Sequence, residues 1–364
     1  MADPTSWLPF VTVLVVVVVV VVATVTVLAG GRRSHPRTTG DPAPAADGTA
    51  HRAPPKVVAV VVNPTKFDDL DPVRATLARV AKERGWSEPR LLETTADDPG
   101  TGQARRAREE GADVVCALGG DGTVRAVAAA LVDTDTPLGL LPGGTGNLLA
   151  RNLDLPIDDL GEAFRVCLDG VDRRIDVGLL DVTAPGETPT GANDRVFLIM
   201  AGVGFDAQVM AAAPEDLKAQ VGWVAYLVSG MGQLAGPRFA ASITFDEAPP
   251  RHRRIRCLIV GNVGRLQGGV ELLPDAQVDD GHLDVVLLAP KGLAGWGAVA
   301  ARVITKRRKG HDRVEHARCR SMVVRLTEAQ EVQLDGDPIG PALTLTVTVK
   351  PLALVVRAVA QSTP

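Results

Sequence analysis

The sequence predicts a mixed chain: a parallel α/β unit, then an antiparallel β-sandwich-like unit, with a transmembrane helix ahead of both. Three observations predict it. Residues 8–28 carry no charge and are mostly Val. Residues 56–141 alternate short apolar runs with helical spacings, and Gly-rich turns close two of the runs. From about residue 195 the apolar runs continue with few helical patterns between them. With 364 residues in all, the body beyond the N-terminal span is long enough for two domains of about 150 residues each. The expected boundaries are 1–30 (anchor), 31–55 (linker), 56–185 (α/β) and 186–358 (β-rich).

Residues 8–28, at about 1.5 Å rise per residue, span roughly the 30 Å of a bilayer core. Val is a poor helix former in water, but in lipid a helix is how one segment satisfies its own backbone. The rival reading is a cleaved signal peptide. Against it, residues 1–7 hold Asp3 and no Lys or Arg, and the apolar stretch is longer than a signal h-region. Arg32, Arg33 and Arg37 follow the span, so the positive-inside rule puts the body on the cytoplasmic side of a single-pass cell-membrane protein. Residues 31–55 are rich in Pro, Gly, Ala and polar residues and read as a tether with a reach of roughly 25–30 Å.

Charged residues make up 23% and hydrophobic residues 46%, so the body can bury a core. The net charge of −4 argues against a dedicated nucleic-acid binder. Cys116, Cys167, Cys257 and Cys319 are far apart with no CxxC pair, which argues against a disulfide framework or a zinc site.

In the first half, residues 56–62, 113–118 and 137–141 read as buried parallel strands. Residues 71–84 and 123–132 read as helices. Such a βαβαβ order puts ligands at the strand C-termini. Strand 113–118 runs into Gly119-Gly120-Asp121-Gly122-Thr123 and then a helix. Glycines let this turn take positive φ and admit a ligand to bare backbone, so several N–H groups and a helix N-terminus face one point. The bland alternative is a Gly-rich turn with Asp as N-cap. Strand 137–141 ends likewise in Pro142-Gly143-Gly144-Thr145-Gly146-Asn147. Two such turns in succession can close on one polyphosphate. Strand 56–62 ends in Asn63-Pro64-Thr65-Lys66, able to bond a nucleotide or simply to cap the next helix.

Other nucleotide motifs fail. There is no GxxxxGK[ST], and neither Gly turn completes GxGxxG, whose sixth position is Arg125 in one register and Leu149 in the other. Two acidic groups stand out later. Residues 274–284 gather Asp275, Asp279, Asp280 and Asp284 around Gly281, a set suited to a hard cation such as Mg²⁺ or to a plain turn. Leu334-Asp335-Gly336-Asp337 is a possible hairpin whose carboxylate could take a hydroxyl proton.

Together GGDGT (119–123), PGGTGN (142–147), GVGFDAQV (202–209), GNVGRLQGG (261–269), PDAQVDDGHLDVV (274–286) and QLDGD (333–337) resemble, in order, the diacylglycerol kinase catalytic-domain family. This family includes bacterial lipid kinases and sphingosine kinases. The resemblance covers roughly residues 56–358. It implies an α/β nucleotide domain, a β-rich domain, ATP as co-substrate and Mg²⁺. It places Asn63, Pro64, Thr65, Lys66 and Phe67 in a first nucleotide loop and Thr94 after the second strand. Gly119, Gly120, Asp121, Gly122 and Thr123 fall in the phosphate loop, continuing to Ala126, with Gly143 and Thr145 in the second turn. Gln277, Asp280 and His282 fall in the metal loop, with Gln277 and His282 ligating through carbonyls. Asp337 aligns with the family's catalytic base, usually Glu, and Asp121 or Asp335 is placed to share the role.

The resemblance implies a membrane lipid as substrate, diacylglycerol first, with sphingosine-like or polyprenol lipids as alternatives. A nucleotide-binding regulatory protein without turnover, or an NAD kinase, would be a different class. Related enzymes leave a homodimer open. Residues 251–325 carry 15 Lys and Arg against 7 Asp and Glu, which suits an anionic membrane surface or an ordinary solvated face. The apolar stretch 217–236 reads as a core helix or a lipid entrance.

Overall fold

Alternation along the first strand sets the layers. In β1 (Val58–Val62) every residue is buried. Val58, Val60 and Val62 face one apolar cluster, and Ala59 and Val61 face another. A strand buried on both faces reads as a continuous β-branched run because both pleat faces meet helices. The computed structural model describes residues 55–187, 195–204, 238–265, 271–290 and 314–360. The expected anchor, nearly all of the linker, the stretch 217–236 and the basic run 305–310 lie outside them. Among the described residues no helix is long and apolar enough to cross a membrane.

Helix α1 (Asp71–Glu83) follows β1, as its spacing predicts, burying Val73, Leu77, Val80 and Ala81. Then come β2 (Arg90–Glu93), α2 (Thr101–Glu109), β3 (Val114–Gly119), α3 (Asp121–Leu131), β4 (Leu138–Pro142), and the short α4 (Leu148–Asn152) and α5 (Leu160–Asp169). The strands are parallel in the order β2-β1-β3-β4. Helices α1 and α5 pack on one face with Val60, Cys116 and Leu141, and α2 and α3 on the other with Val61, Ala117 and Leu140. Strand order reverses between β1 and β3, so their C-terminal loops diverge and leave a crevice, the usual ligand position in such sheets.

The second half is antiparallel. It comprises β5 (Val171–Thr183), β6 (Arg195–Phe197), β7 (Met200–Val203), β8 (Phe239–Phe245), β9 (Arg251–Ile255), β10 (Cys257–Gly261) and β11 (Leu283–Leu288), then β12 (Val314–Cys319), β13 (Ser321–Leu334) and β14 (Asp337–Ala358). The second core forms between facing residues such as Ile243 and Phe245 of β8, Leu258 and Val260 of β10, and Val285 of β11. Strand β13 serves both layers. Its residues 322–326 pair with β8 and its residues 332–334 with β7, with a register shift between Arg325 and Gln330. Such a shift bends a strand from one layer to the next.

Two apolar runs that read as single strands in the sequence, VFLIMAGV (196–203) and RIRCLIVGNV (254–263), are broken. The run at 196–203 splits at Leu198–Ile199, and the run at 254–263 splits at Arg256. Conversely, SMVVRLT (321–327) joins the start of EVQLDGD (331–337) in one β13 that ends at Leu334, and Asp337 opens β14. The C-terminal strand β14 pairs with β13 and β5 and meets β4 in parallel at Val356↔Leu138. One sheet of 14 strands therefore runs through both halves of the described residues.

Candidate active site

The site begins where β3 stops. Gly119 ends the strand, Asp121 starts α3, and Gly120 between them is extended (φ −87°, ψ −176°). The expectation that these glycines adopt positive φ is corrected by the structure. None of Gly119, Gly120, Gly122, Gly143 or Gly144 is among the positive-φ residues. Close approach is what requires glycine here. A Cβ on Gly144 would lie 2.6 Å from the Gly120 Cα, and one on Gly143 would lie 3.1 Å from the Gly119 Cα. Gly143 N donates to Gly119 O at 3.0 Å. The two turns pack backbone on backbone as one wall.

Asn147 closes the second turn. It adopts the left-handed region (φ 48°), and its side chain accepts from Gly144 N and donates to Gly144 O. Thr145 is exposed at the tip. Asp121 ties the turns together, its Oδ1 accepting from Leu148 N at 2.7 Å at the start of α4. Gly146 accommodates this carboxylate, since a Cβ there would meet Asp121 Oδ2 at 2.4 Å. Burial pushes the Asp121 carboxyl up; the N–H groups of Leu148 and Asn147 oppose this, Asp337 adds to it and Arg125 counters it. Thr123 is buried, its Oγ1 packed beneath Gly119. Gly122 opens toward Asp337, whose Oδ2 would lie 3.4 Å from a Cβ there.

The β1 loop joins the same wall. Asn63 N donates to Leu118 O, and its Oδ1 accepts from Thr65 N and Oγ1 at 3.1 and 2.8 Å. Asn63 thus caps the turn Pro64–Lys66, with Lys66 exposed. The Phe67 ring reaches the second turn, 3.1 Å from where a Gly143 Cβ would stand. Thr94 is buried and donates its N–H to Val62 O.

From the second half comes the hairpin between β13 and β14. Leu334 pairs with Asp337 across Asp335 and Gly336, both at positive φ, as a two-residue primed turn demands. Asp335 is buried, and its carboxylate accepts from Leu198, Ile199 and Met200 N–H at 2.9–3.2 Å. These bonds occupy the break between β6 and β7. Burial pushes the Asp335 carboxyl up to about 6. Asp335 is therefore a clamp within the fold, and Asp337 is the carboxylate that faces the Gly119–Thr123 turn. Arg125 of α3 meets this hairpin: Nη2 bonds Asp337 Oδ2 at 2.6 Å and Nη1 bonds Leu334 O at 2.8 Å.

Gln277, Asp280 and His282 share one loop. Gln277 is exposed. Asp280 Oδ1 accepts from His282 N at 3.0 Å, its Oδ2 pairs with Arg318, and its carbonyl contacts His282 Nδ1 at 2.8 Å. Among the described residues no group of three His, Cys, Asp or Glu side chains is placed to hold a metal ion. The expected Mg²⁺ thus finds no side-chain cage here, although Asp284 Oδ2 is buried without a hydrogen-bond partner. What binds the loop is a residue absent from the sequence expectations. Asp176 of β5 accepts from Gly281 N at 2.6 Å and Leu352 N at 2.7 Å, and its own N–H donates to Val278 O.

A parallel α/β sheet with fused Gly turns at its switch point, closed by a carboxylate from an antiparallel partner sheet, defines a phosphate-handling α/β fold with a β-sandwich-like second part. The diacylglycerol kinase catalytic domain profile matches residues 57–180, and the YegS C-terminal NAD kinase beta sandwich-like domain profile matches residues 199–358. Residues 57–180 therefore carry a diacylglycerol kinase catalytic domain, and the chain is a phosphotransferase of the lipid-kinase type. Among relatives, it is 28% identical over 287 residues to a diacylglycerol kinase of Staphylococcus epidermidis, covering 78% of this chain and 86% of that one. It is 27% identical to a diacylglycerol kinase of Bacillus subtilis, covering 78% and 90%. A crystal structure of a diacylglycerol kinase from Bacillus anthracis str. Sterne shares the fold with TM-score 0.61 and 19% identity, over 83% of this chain and 97% of that one.

Proposed function

We propose that this protein transfers the γ-phosphoryl group of ATP to the hydroxyl of a membrane lipid, diacylglycerol in the first instance, giving phosphatidic acid. The observation that carries this reading is the Asp337 carboxylate facing Gly122, beside the fused Gly turns. The N–H groups at the start of α3 meet the phosphates, and Asp337 accepts the hydroxyl proton as the lipid oxygen bonds to phosphorus and the bond to ADP breaks. The diacylglycerol kinases among its relatives support the lipid acceptor. Mg²⁺, when bound, would neutralise phosphate charge. The carbonyls of Gln277 and His282 would hold it, together with the Asp280 carboxylate, which pairs with Arg318 in this structure.

In the same reading, residues 8–28 anchor the body to the cell membrane with the catalytic part cytoplasmic. The exposed Arg251-His252-Arg253-Arg254 of β9 suits an anionic lipid surface, although Arg251 and Arg253 also pair with Glu315. The test is labelled ATP with mixed micelles carrying diacylglycerol, a sphingosine-like base or a polyprenol. Transfer to diacylglycerol that is lost in Asp337→Ala supports the reading. Transfer only to another lipid reassigns the substrate. ATP binding with no transfer to any lipid overturns it in favour of a regulatory nucleotide binder.

A further inference from the structure

We infer that Arg125 is a positioning residue: it holds the Asp337 carboxylate at the phosphate turn in the one orientation that serves proton transfer. The inference rests on the reading of Asp337 as the base. In α3 (DGTVRAVAAAL), Arg125 is the one basic residue in a helix of small and apolar side chains. It lies one turn beyond Asp121, on the same helix face. Its guanidinium is a fork with fixed angles. One prong bonds Asp337 Oδ2 at 2.6 Å, the other bonds Leu334 O at 2.8 Å, and Asp335 Oδ2 stands 3.9 Å away. The two bonded acceptors lie on opposite strands of the hairpin, facing each other as the Leu334↔Asp337 pair. One guanidinium therefore fixes both ends of a two-residue turn to the helix that carries the phosphate loop.

Exposure shows which partner is held. The Arg125 side chain is 19% exposed and the Asp337 side chain 57%. A carboxylate that open would sample several rotamers at the mouth of the crevice. An arginine seated on a backbone carbonyl beside a buried carboxylate has lost that freedom already, so its bond to Asp337 selects one orientation. The need is greater here because the base is Asp, one methylene shorter than the family's Glu. The arm that spans the remaining gap is the long side chain from α3. Lysine, a point charge without the fork, can hold one of the two acceptors but not both in this geometry.

The test uses the full chain with ATP and diacylglycerol micelles. Arg125→Gln, Arg125→Lys, Asp337→Ala and Arg125→Gln/Asp337→Ala are compared for kcat, ATP affinity by calorimetry, and thermal unfolding. A positioning role predicts that Arg125→Gln lowers kcat by about 30- to 100-fold while ATP affinity stays within about threefold, because general-base contributions of this size are lost without ground-state binding. Arg125→Lys recovers part of kcat. The double variant is no slower than Asp337→Ala alone, since the two act as a unit. Losses that multiply in the double variant overturn the inference. So does an Arg125→Gln enzyme that keeps kcat but binds ATP tenfold more weakly, which would make Arg125 a phosphate ligand. If Arg125→Gln unfolds at assay temperature, Arg125→Lys decides: a folded lysine variant with unchanged kcat overturns the inference, and one with reduced kcat and unchanged ATP affinity supports it. Asp337→Ala with full activity, or an unaltered chain that phosphorylates no lipid, defeats the kinase reading itself. Either is told apart from failure of the Arg125 role, which requires an active parent and an inactive Asp337→Ala.

Discussion

Gly144 lies against Gly120 with no room for a side chain between them, a Cβ on Gly144 falling 2.6 Å from the Gly120 Cα. Backbone cannot yield as a flexible side chain can, so Gly144→Ala must push the two turns apart. We expect a loss of about 1–3 kcal/mol in stability, typical of overpacking, with a larger loss in ATP affinity because the wall of N–H groups is split. Denaturant unfolding and calorimetry measure the two effects. A Gly144→Ala protein with parental ATP affinity would mean that the fused turns are not where phosphates bind.

Asp121 separates structure from charge. Asp121→Asn keeps an oxygen for the Leu148 N–H, and Asp121→Ala does not. Loss of a cap of this kind costs about 1 kcal/mol. Asp121→Ala is therefore expected to unfold earlier than Asp121→Asn and to lose nucleotide affinity with it. If both are equally stable and both inactive, the carboxylate acts directly on substrate.

Asp176 holds two segments distant in sequence, through Gly281 N and Leu352 N. Asp176→Ala leaves both donors without acceptors inside the protein, at about 1–3 kcal/mol each. The expected outcome is a drop in Tm of several degrees and a 277–282 loop open to protease, read by limited proteolysis around those residues. An unchanged Tm would show that water replaces the carboxylate.

Asp335 gives a pH signature. Its carboxyl titrates near 6 when folded, against about 3.9 unfolded. The folded state then binds more protons than the unfolded state between those values. Its contribution is most favourable below about pH 4 and is lost as pH rises through about 6, by on the order of 3 kcal/mol in all. Asp284, also pushed up to about 6 by burial, acts in the same direction. Relative to Asp335→Asn, the parent should therefore lose stability from pH 4 to pH 6. Parallel stability curves for the two proteins across that window would refute this.

Removing residues 1–30 should release the body from sedimented membranes while leaving turnover in micelles largely intact. Loss of micellar turnover after the deletion would make the segment part of the folded enzyme.

Much of the α/β half was legible because its signals are local. β1 is a Val run with both faces covered, and α1 repeats Val73, Leu77, Val80 and Ala81 at helical spacing. The Asp335-Gly336 turn announces its hairpin by composition alone. What stayed hidden depends on distant partners. Leu198–Ile199 reads as strand, and only capture of its N–H groups by Asp335 breaks it. Arg125 reads as a failed glycine of a dinucleotide motif until the hairpin 209 residues later arrives beside it. Its one visible signal is a lone cation in an alanine-rich helix, just as Asp176 is a lone acid in the buried middle of β5. The glycine turns were found for the wrong reason: they need space, whereas their sequence suggested unusual dihedral angles.

The parallel contact between Val356 and Leu138 has a consequence for biosynthesis. On the ribosome the fused glycine turns emerge early, yet the neighbour that shields the open edge of β4 is translated more than two hundred codons later. Until then a nascent chain exposes the unpaired margin of an apolar sheet, an invitation to chaperones or to aggregation. Loss of the last dozen residues would leave a newborn enzyme with its α/β half permanently unfinished.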